Sequence, residues 1–390
     1  MRKFSYILIL CCTLLLSLGC DREVVPVLPG DEEVILPEGG PYIYLDAMVD
    51  KSTRATVVEG TELQQGFGAY GFTYDFTNRW STYRVTATPN VFTNDDGSAF
   101  WAPQPVNYAS GIYSYSPVKP WEGGKYTFFA YYPYGHDSVT PSGVDVEGTP
   151  YVNYAPADFL TSTANHADVM TAMFEDTSLS SSQYVGFDFE HRLSAVEVAA
   201  MNFYMYDHEV DGNVTSEEIT IEITDLLVSF TNLDYKAATF YLDSRIPPEC
   251  VTNDGTPQYD IVDGTKKKEI FYNNNSNFTR VAEDQVMLLI PQKDEDLKVI
   301  TKVTYKKRRP DGSDSPYLNA VPDVAGITYV EDNVNGWSYT AQKTTEFGQA
   351  LKAGSRYYIQ VTFTSSAVSI NIVTSDEWED LSEDVYHEFE

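Results

Sequence analysis

Alternation of apolar and polar residues with a period of two constrains this chain most, because that spacing produces strands with one buried and one solvated face. Near the C-terminus, apolar residues alternate along 357–363, and a second run at 368–372 follows Ser365-Ser366. Segments 219–223 and 297–305 show the same spacing. Turn signals such as Asp211-Gly212 separate these runs, and no long run has helical spacing. The pattern predicts an all-β chain built of sandwiches or barrels.

One segment in the N-terminal half differs from these half-buried strands. Residues Tyr126 to Tyr132 are apolar on both faces until Pro133 ends the run. We expect a central strand that is packed on both sides.

The 390 residues exceed what one hydrophobic core usually supports, so two domains are expected. The Ser-rich stretch 176–183 is the clearest linker between them. We therefore predict an N-terminal domain at 55–182 and a C-terminal domain at 183–390.

The first residues indicate export rather than fold. Arg2 and Lys3 precede an apolar run that is too short to cross a bilayer and ends at Ser17-Leu18-Gly19-Cys20. We predict a lipoprotein signal peptide at 1–19 with lipid, palmitate included, on Cys20, although Ser17 stands where bacterial lipoproteins usually carry Leu. An ordinary signal peptide cleaved nearby is the alternative. Residues 20–41 are rich in Pro, Gly and acids and predict a flexible tether.

Charge and cysteine content exclude several classes of function. The formal net charge of −31 disfavours polyanionic partners, so no nucleic acid is expected. Beyond the signal and Cys20 only Cys250 remains, so no internal disulfide can form. The exported chain must be stabilised by an apolar core, which its 29 Tyr, 20 Phe and 5 Trp can supply.

No motif of catalysis, cofactor binding or metal binding stands out. The histidines, at positions 136, 166, 191, 208 and 387, are scattered, and His191 is interpreted as a structural imidazole at a strand end. Asp95, Asp211 and Asp311 lie in Asp-Gly turns that match no complete calcium loop, so plain turns are favoured. We predict no enzymatic activity, no cofactor and no metal.

Two further features have more than one interpretation. Trp80, Trp101 and Trp121 could stack on sugars, but core packing is favoured. The basic cluster Lys306–Arg309 is interpreted as decoration of a hairpin tip, with a protease-sensitive loop as the alternative.

Arg54 lies among small residues just after the strand-like run 42–49, which is what a trypsin-like processing site looks like. On residue type alone, a chance arginine is an equally good explanation.

Several segments, in order and spacing, make the chain resemble the fimbrillins of Bacteroidetes, the subunits of type V pili and their accessory proteins. These segments are Cys20 with its signal, Thr53-Arg54-Ala55-Thr56, Gly68–Tyr74, Trp121 with Lys125–Pro133, Asp158-Phe-Leu160, Phe189–Ser194, Leu289-Ile-Pro-Gln292 and Leu351–Ile359. The resemblance implies two tandem β-sandwich domains, transthyretin-like and of Greek-key type.

The resemblance also implies an assembly mechanism. An outer-membrane-anchored precursor is cut between Arg54 and Ala55 by an arginine-specific surface protease, which removes a first strand at 42–54. The vacated groove then accepts a strand from another fimbrial subunit at the cell surface. A host protein or glycan is a further candidate partner.

The position of this subunit in a fimbria follows from its last residues. Residues 375–390 contain eight acids, and only Val385, His387 and Phe389 alternate weakly, which makes a poor donor strand. A tip or accessory subunit is therefore favoured over a stem subunit. A glycan-binding surface lipoprotein that keeps its lipid anchor is the alternative function.

Overall fold

The alternating segments form strands, as predicted, in a computed structural model of the chain. The structure describes residues 42–49, 63, 65–74, 80, 103–109, 112–121, 124–144, 149–178, 184–273, 278–282, 285–293, 296–309, 327–332, 336–365 and 367–375. Every element with described bounds is a β-strand, and there are twenty-four. The fold is therefore all-β in its described elements.

The strands are, in chain order, β1 (Tyr44–Val49), β2 (Phe67–Tyr74), β3 (Gln104–Ala109), β4 (Ile112–Ser114), β5 (Lys125–Tyr132), β6 (Val139–Val144), β7 (Pro150–Tyr154), β8 (Met170–Thr177), β9 (Tyr184–His191), β10 (Ser194–Asn202), β11 (Met205–Val210), β12 (Asn213–Glu218), β13 (Thr220–Thr231), β14 (Tyr235–Tyr241), β15 (Glu249–Thr252), β16 (Gln258–Val262), β17 (Lys268–Ile270), β18 (Thr279–Arg280), β19 (Met287–Leu289), β20 (Lys298–Arg308), β21 (Ile327–Asp332), β22 (Gly336–Glu346), β23 (Arg356–Phe363) and β24 (Val368–Ser375).

These strands form five sheets. A seven-stranded sheet has the order β1-β9-β8-β5-β2-β3-β4, and a four-stranded sheet has the order β15-β14-β7-β6. A five-stranded sheet runs β18-β10-β23-β24 with β19 paired to β10, and a six-stranded sheet runs β16-β13-β20-β22-β21 with β17 paired to β13. Strands β11 and β12 form a separate two-stranded ribbon. Most neighbours are antiparallel, but β1 with β9 and β10 with β23 are parallel.

Three buried apolar clusters pack against the sheets. The first is built from residues of β10, β23 and β24 together with residues of β13, β16, β20 and β22. The second lies on one face of the seven-stranded sheet, and the third lies on its other face, against β7 and β14. Strands β5 and β10 each contribute to two clusters, through alternate residues.

The strand predicted to be packed on both sides is β5. It lies between β2 and β8, with Phe128 in the second cluster and Phe129 in the third. On its neighbour β2, a Cβ added at Gly68 would come within 2.2 Å of the Tyr131 ring. Glycine is therefore required there for two central strands to approach each other across a tyrosine.

The division into domains at 182/183 stays a prediction, as does the tandem sandwich topology. Residues 38–390 form one compact unit, and the remaining unit, 1–37, lies outside the described residues. Two sheets cross the predicted boundary: β9 pairs with β1 and β8, and β14 pairs with β7. In the described ranges no helix is long and apolar enough to cross a membrane.

Candidate functional site

The strand predicted to be removable, β1, lies at the edge of the seven-stranded sheet. It runs parallel to β9 in continuous register from Tyr44 beside Tyr184 to Val49 beside Phe189. Among the described strands β1 pairs along one edge only, so it can leave without breaking the centre of the sheet.

The first six residues of β9 depend on β1 for their backbone pairing to a neighbouring strand. Strand β8 pairs with β9 only through Met170 and Thr171, which face His191 and Glu190 at the far end of β9. Among the described strands, residues 184–189 of β9 therefore pair with β1 alone. Loss of β1 would leave a row of backbone donors and acceptors without partners, which is a template for another strand.

The inward face of β1 fills a deep apolar slot. Leu45 and Ala47 of β1, and Ile43 just before it, are 5%, 4% and 0% exposed and belong to the second cluster. The slot is lined by the inward face of β9, where alternate residues Val185, Phe187 and Phe189 are fully buried. The alternating pattern of β9 thus places three large apolar side chains along the strand that β1 covers.

An aromatic wall closes this slot. Phe67 of β2 lies 5.6 Å from Phe187 and 5.4 Å from Phe189, both edge-on, measured between ring centroids. The Phe67 ring also lies 5.4 Å from the ring of Tyr113. Edge-to-face contacts of this kind fix ring positions as well as burying area.

Polar contacts hold the start of β1 in place. The Tyr115 hydroxyl donates to the Ile43 carbonyl oxygen at 2.7 Å and accepts from the Lys119 backbone N–H at 3.2 Å. The Ile43 N–H donates to the Lys119 carbonyl oxygen at 2.9 Å, and Tyr42 bridges to Pro120. Burial raises the pKa of Tyr115, so its hydroxyl stays protonated and able to donate.

The outward face of β1 is more open. Asp46 is exposed, and the Tyr44 ring stacks on Tyr184 with 5.4 Å between centroids. Tyr184 is itself 51% exposed. Side chains at these positions are therefore less constrained by the fold than those that point inward.

His191 ends β9 and has the structural environment that its sequence position predicts. Its Nδ1 atom lies 2.8 Å from Oδ1 of Asp168, and both side chains are fully buried. The pair fixes the end of β9 against the segment before β8, at the same place where β8 begins to pair with β9. A buried imidazole bound to a carboxylate needs no catalytic explanation here.

The predicted processing and lipidation residues lie outside the described residues. These are Cys20, Arg54 and Ala55. Arg54 comes five positions after Val49, where β1 ends.

The predictions made for single aspartate and tryptophan residues can be compared with their described positions. Asp211 and Gly212 form the tight turn of the β11–β12 ribbon, with φ angles of 53° and 83°, so a turn is confirmed at this position. Asp95, Asp311 and Trp101 fall outside the described residues. Trp80 and Trp121 are 0% and 7% exposed, which confirms core packing for both. No group of three potential metal ligands occurs among the described side chains.

The interpretation of Lys306–Arg309 as hairpin decoration was wrong. Strand β20 continues to Arg308, whose guanidinium binds Glu222 at 3.0 Å. Arg309 lies 2.6 Å from Glu217. Lys307 is buried between the rings of Tyr204 and Tyr339, 4.4 and 4.2 Å from their centroids. The cluster stabilises the sheet through ion pairs and cation–π contacts.

Comparisons with known proteins agree with this architecture. The sequence matches the model of the fimbrillin-like family over residues 53–378. Among solved structures, a fimbrial protein of Bacteroides vulgatus aligns with 87% of this chain and 99% of its own, at 19% identity and a TM-score of 0.58. At that identity the likeness shows the fold.

Two further structures are more distant. A proposed cell adhesion protein of Bacteroides uniformis covers 87% of this chain and 100% of its own, at 14% identity and a TM-score of 0.43. One of Bacteroides ovatus covers 88% and 99%, at 16% identity and a TM-score of 0.44. No curated protein matches the sequence.

Proposed function

This chain belongs to the fimbrillin-like family, and from that premise we propose that it is a structural and adhesive subunit of a type V fimbria. It is exported as an outer-membrane lipoprotein precursor with lipid on Cys20, cut after Arg54 at the cell surface, and joined to other subunits by strand addition. The role is non-enzymatic.

The arrangement of β1 supports this proposal more than any other observation. A single edge strand supplies the only described ladder partner of residues 184–189 and fills an apolar slot, and a candidate cleavage site follows it by five residues. A strand that belongs permanently to the fold has no need of a cleavage site beside it. The same contacts that seal the precursor would receive a donor strand from the next subunit.

A tip or accessory position is favoured over a stem position. The eight acids in residues 375–390 would have to be buried or lined along a neighbour's groove if this segment were the donor. Burial of unpaired carboxylates is costly, so these residues make a poor donor strand.

Substitution of Arg54 tests the processing step. We expect Arg54→Ala to keep the strand on the subunit and to abolish its incorporation into fibres, seen by electron microscopy and by mass spectrometry of shed protein. Arg54→Lys separates an arginine-specific protease, which should fail on it, from a trypsin-like one. Arg22→Ala, in the predicted tether, is the control and should be processed normally. Normal fibres from Arg54→Ala cells would contradict the proposal.

The lipid is proposed to be temporary, since a cut after Arg54 separates Cys20 from residues 55–390. Assembled fibres should therefore contain subunits that begin at Ala55. An acylated Cys20 on subunits within fibres would show that the anchor is retained.

The alternative function, a glycan-binding lipoprotein that keeps its anchor, requires an exposed aromatic platform. Trp80 and Trp121 are buried in cores and cannot supply one. Glycan-array binding by the full chain, together with a retained N-terminal lipid, would favour this alternative.

A further inference from the structure

We propose that Phe187 makes the β1 slot selective for donor strands whose third inward residue is small, at the position that Ala47 occupies in the precursor. The inference rests on the proposed function, because it concerns which strand replaces β1. It identifies a residue that determines specificity and describes the partner by its side-chain pattern.

The register shows how size is matched along the slot. Leu45 of β1 lies beside Val185 of β9, and Ala47 lies beside Phe187. All four side chains are at most 5% exposed and belong to one cluster. Neighbouring strands are only about 4.8 Å apart, so partners on the same face compete for the same volume. Of these two β1 side chains, the larger one, Leu45, lies next to valine, and the smaller one, Ala47, lies next to phenylalanine.

Phe187 cannot easily move to admit a larger neighbour. Its ring is held edge-on by Phe67 at 5.6 Å and lies 6.1 Å from the ring of Phe189. Phe67 is fully buried and also contacts Phe189, so the three rings support one another. Close-packed interiors transmit such constraints, and added methylene groups there force costly shifts.

The selectivity gives a sequence rule for the partner. A donor must present two large apolar residues and then a small one at alternate positions, as Ile43, Leu45 and Ala47 do. No frame of residues 375–390 has this pattern: the most apolar frame places Val385, His387 and Phe389 inward. Phenylalanine would then meet Phe187. The donor for this slot is therefore a strand of a different subunit rather than these residues of a second copy.

Peptide competition on the full chain, nicked after Arg54, tests the rule. A fluorescent peptide of residues 42–51 should displace the retained strand and bind the slot. The same peptide with Ala47→Leu should bind about tenfold more weakly or worse, in line with the usual cost of overpacking. The matched control carries Asp46→Leu, which adds a leucine at the neighbouring, exposed position. It should bind within about twofold of the native peptide.

Variants of the protein test whether the affinity loss of the Ala47→Leu peptide depends on Phe187. In the Phe187→Ala chain the penalty for the Ala47→Leu peptide should fall to about threefold or less, because the removed ring leaves room for leucine. If that chain does not fold, Phe187→Val serves the same purpose. A further peptide, with residues 383–389, should fail to compete on the parent protein.

The outcomes separate this inference from the proposed function. If the native peptide binds and Ala47→Leu binds equally well, size selection is wrong and strand addition stands. If both leucine peptides lose the same affinity, or Phe187→Ala leaves the penalty unchanged, Phe187 does not determine specificity. If no peptide enters the slot of the nicked protein, including that of residues 42–51, the proposed function itself fails.

Discussion

His166 is a buried residue whose local contacts require the neutral imidazole. Its Nδ1 atom accepts the Leu288 backbone N–H at 3.0 Å, and its ring packs against Phe159 and Tyr259. Burial lowers the pKa of His166 to about 4. Protonation would convert the acceptor into a donor facing another donor, so the imidazole must stay neutral for the contact to persist.

Stability should therefore fall as the medium becomes acidic. The pKa of an unfolded histidine is about 6.5, so the unfolded chain takes up the proton first. The contribution of His166 is fully present above pH 6.5 and is lost progressively as pH falls towards 4, with a loss on the order of 2–3 kcal/mol. Urea unfolding of His166→Gln should show a flatter profile between pH 6.5 and 4.5 than the parent. His208→Gln, on the β11–β12 ribbon, is the control and should keep the parent slope.

Lys307 is a second buried basic residue, but unlike His166 it is held as a cation at neutral pH. It is 6% exposed between two tyrosine rings, and its Nζ atom donates to the Tyr204 hydroxyl at 3.1 Å. Burial lowers the pKa of Lys307 to about 8. Cation–π contacts offset part of the desolvation cost but do not remove it.

The free energy of unfolding should rise as pH increases from 8 to about 9.5. In this window the folded lysine loses its proton while the unfolded one, with a pKa near 10.4, keeps it. Above that window the unfolded tyrosines ionise and reverse the trend. Lys307→Met should remove the rise, whereas Lys302→Met, on the same strand, should retain it. A parent protein whose urea midpoint is flat across this range would contradict the buried-cation interpretation.

At the scale of elements, one hydroxyl group adds to the backbone pairing and apolar packing that hold β1 in place. Tyr115→Phe removes the donor to the buried Ile43 carbonyl and should destabilise the strand by about 1 kcal/mol. Hydrogen exchange of β1 amides should become about fivefold faster, while amides of β5 should be unchanged. Tyr113→Phe is the matched control, because the same change there removes the acceptor of the Leu63 backbone N–H instead of a donor to Ile43. Equal acceleration in both variants would show a general loss of packing rather than a local one.

The same scale shows what the sequence could predict. Alternation located β23 and β24 as an adjacent antiparallel pair, and the doubly apolar run located β5 at the centre of a sheet. In each case the sequence pattern that permits the prediction lies within the strand itself or within the next strand along the chain. The partner of β1 lies more than a hundred residues away in sequence, and an alternating strand shows only that one of its faces is buried.

The basic cluster on β20 was misinterpreted for a related reason. Its composition resembles a loop, but its ion-pair partners, Glu217 and Glu222, precede it by about ninety residues. The resemblance implied a groove under the first strand, but its lining could not be predicted, since Phe67, Phe187 and Tyr115 meet only through the sheet order. Pairing between strands that are distant in sequence therefore determines where such local patterns lie in the fold and what they contact.

At the scale of the whole molecule, shared strands connect the three clusters. Strand β5 contributes to the second and third, and β10 contributes to the first and third through Val196 and Ala195. The third cluster also joins Trp80, before the predicted domain boundary, to Phe240, after it. Unfolding of one cluster would therefore expose apolar residues of the next.

We accordingly predict that residues 42–375 unfold in one cooperative transition. In calorimetry, Phe240→Ala should shift the whole transition, because its loss of about 3–5 kcal/mol falls on a cluster shared by both halves. Phe363→Ala, confined to the first cluster, is the matched control. If the halves were independent, both variants would shift one of two peaks and leave the other unchanged. A single peak that moves in both cases, with equal calorimetric and van't Hoff enthalpies, would show that the two halves unfold together. Removal of β1 would then destabilise the C-terminal half as well, and a donor strand would restore the stability of the entire subunit.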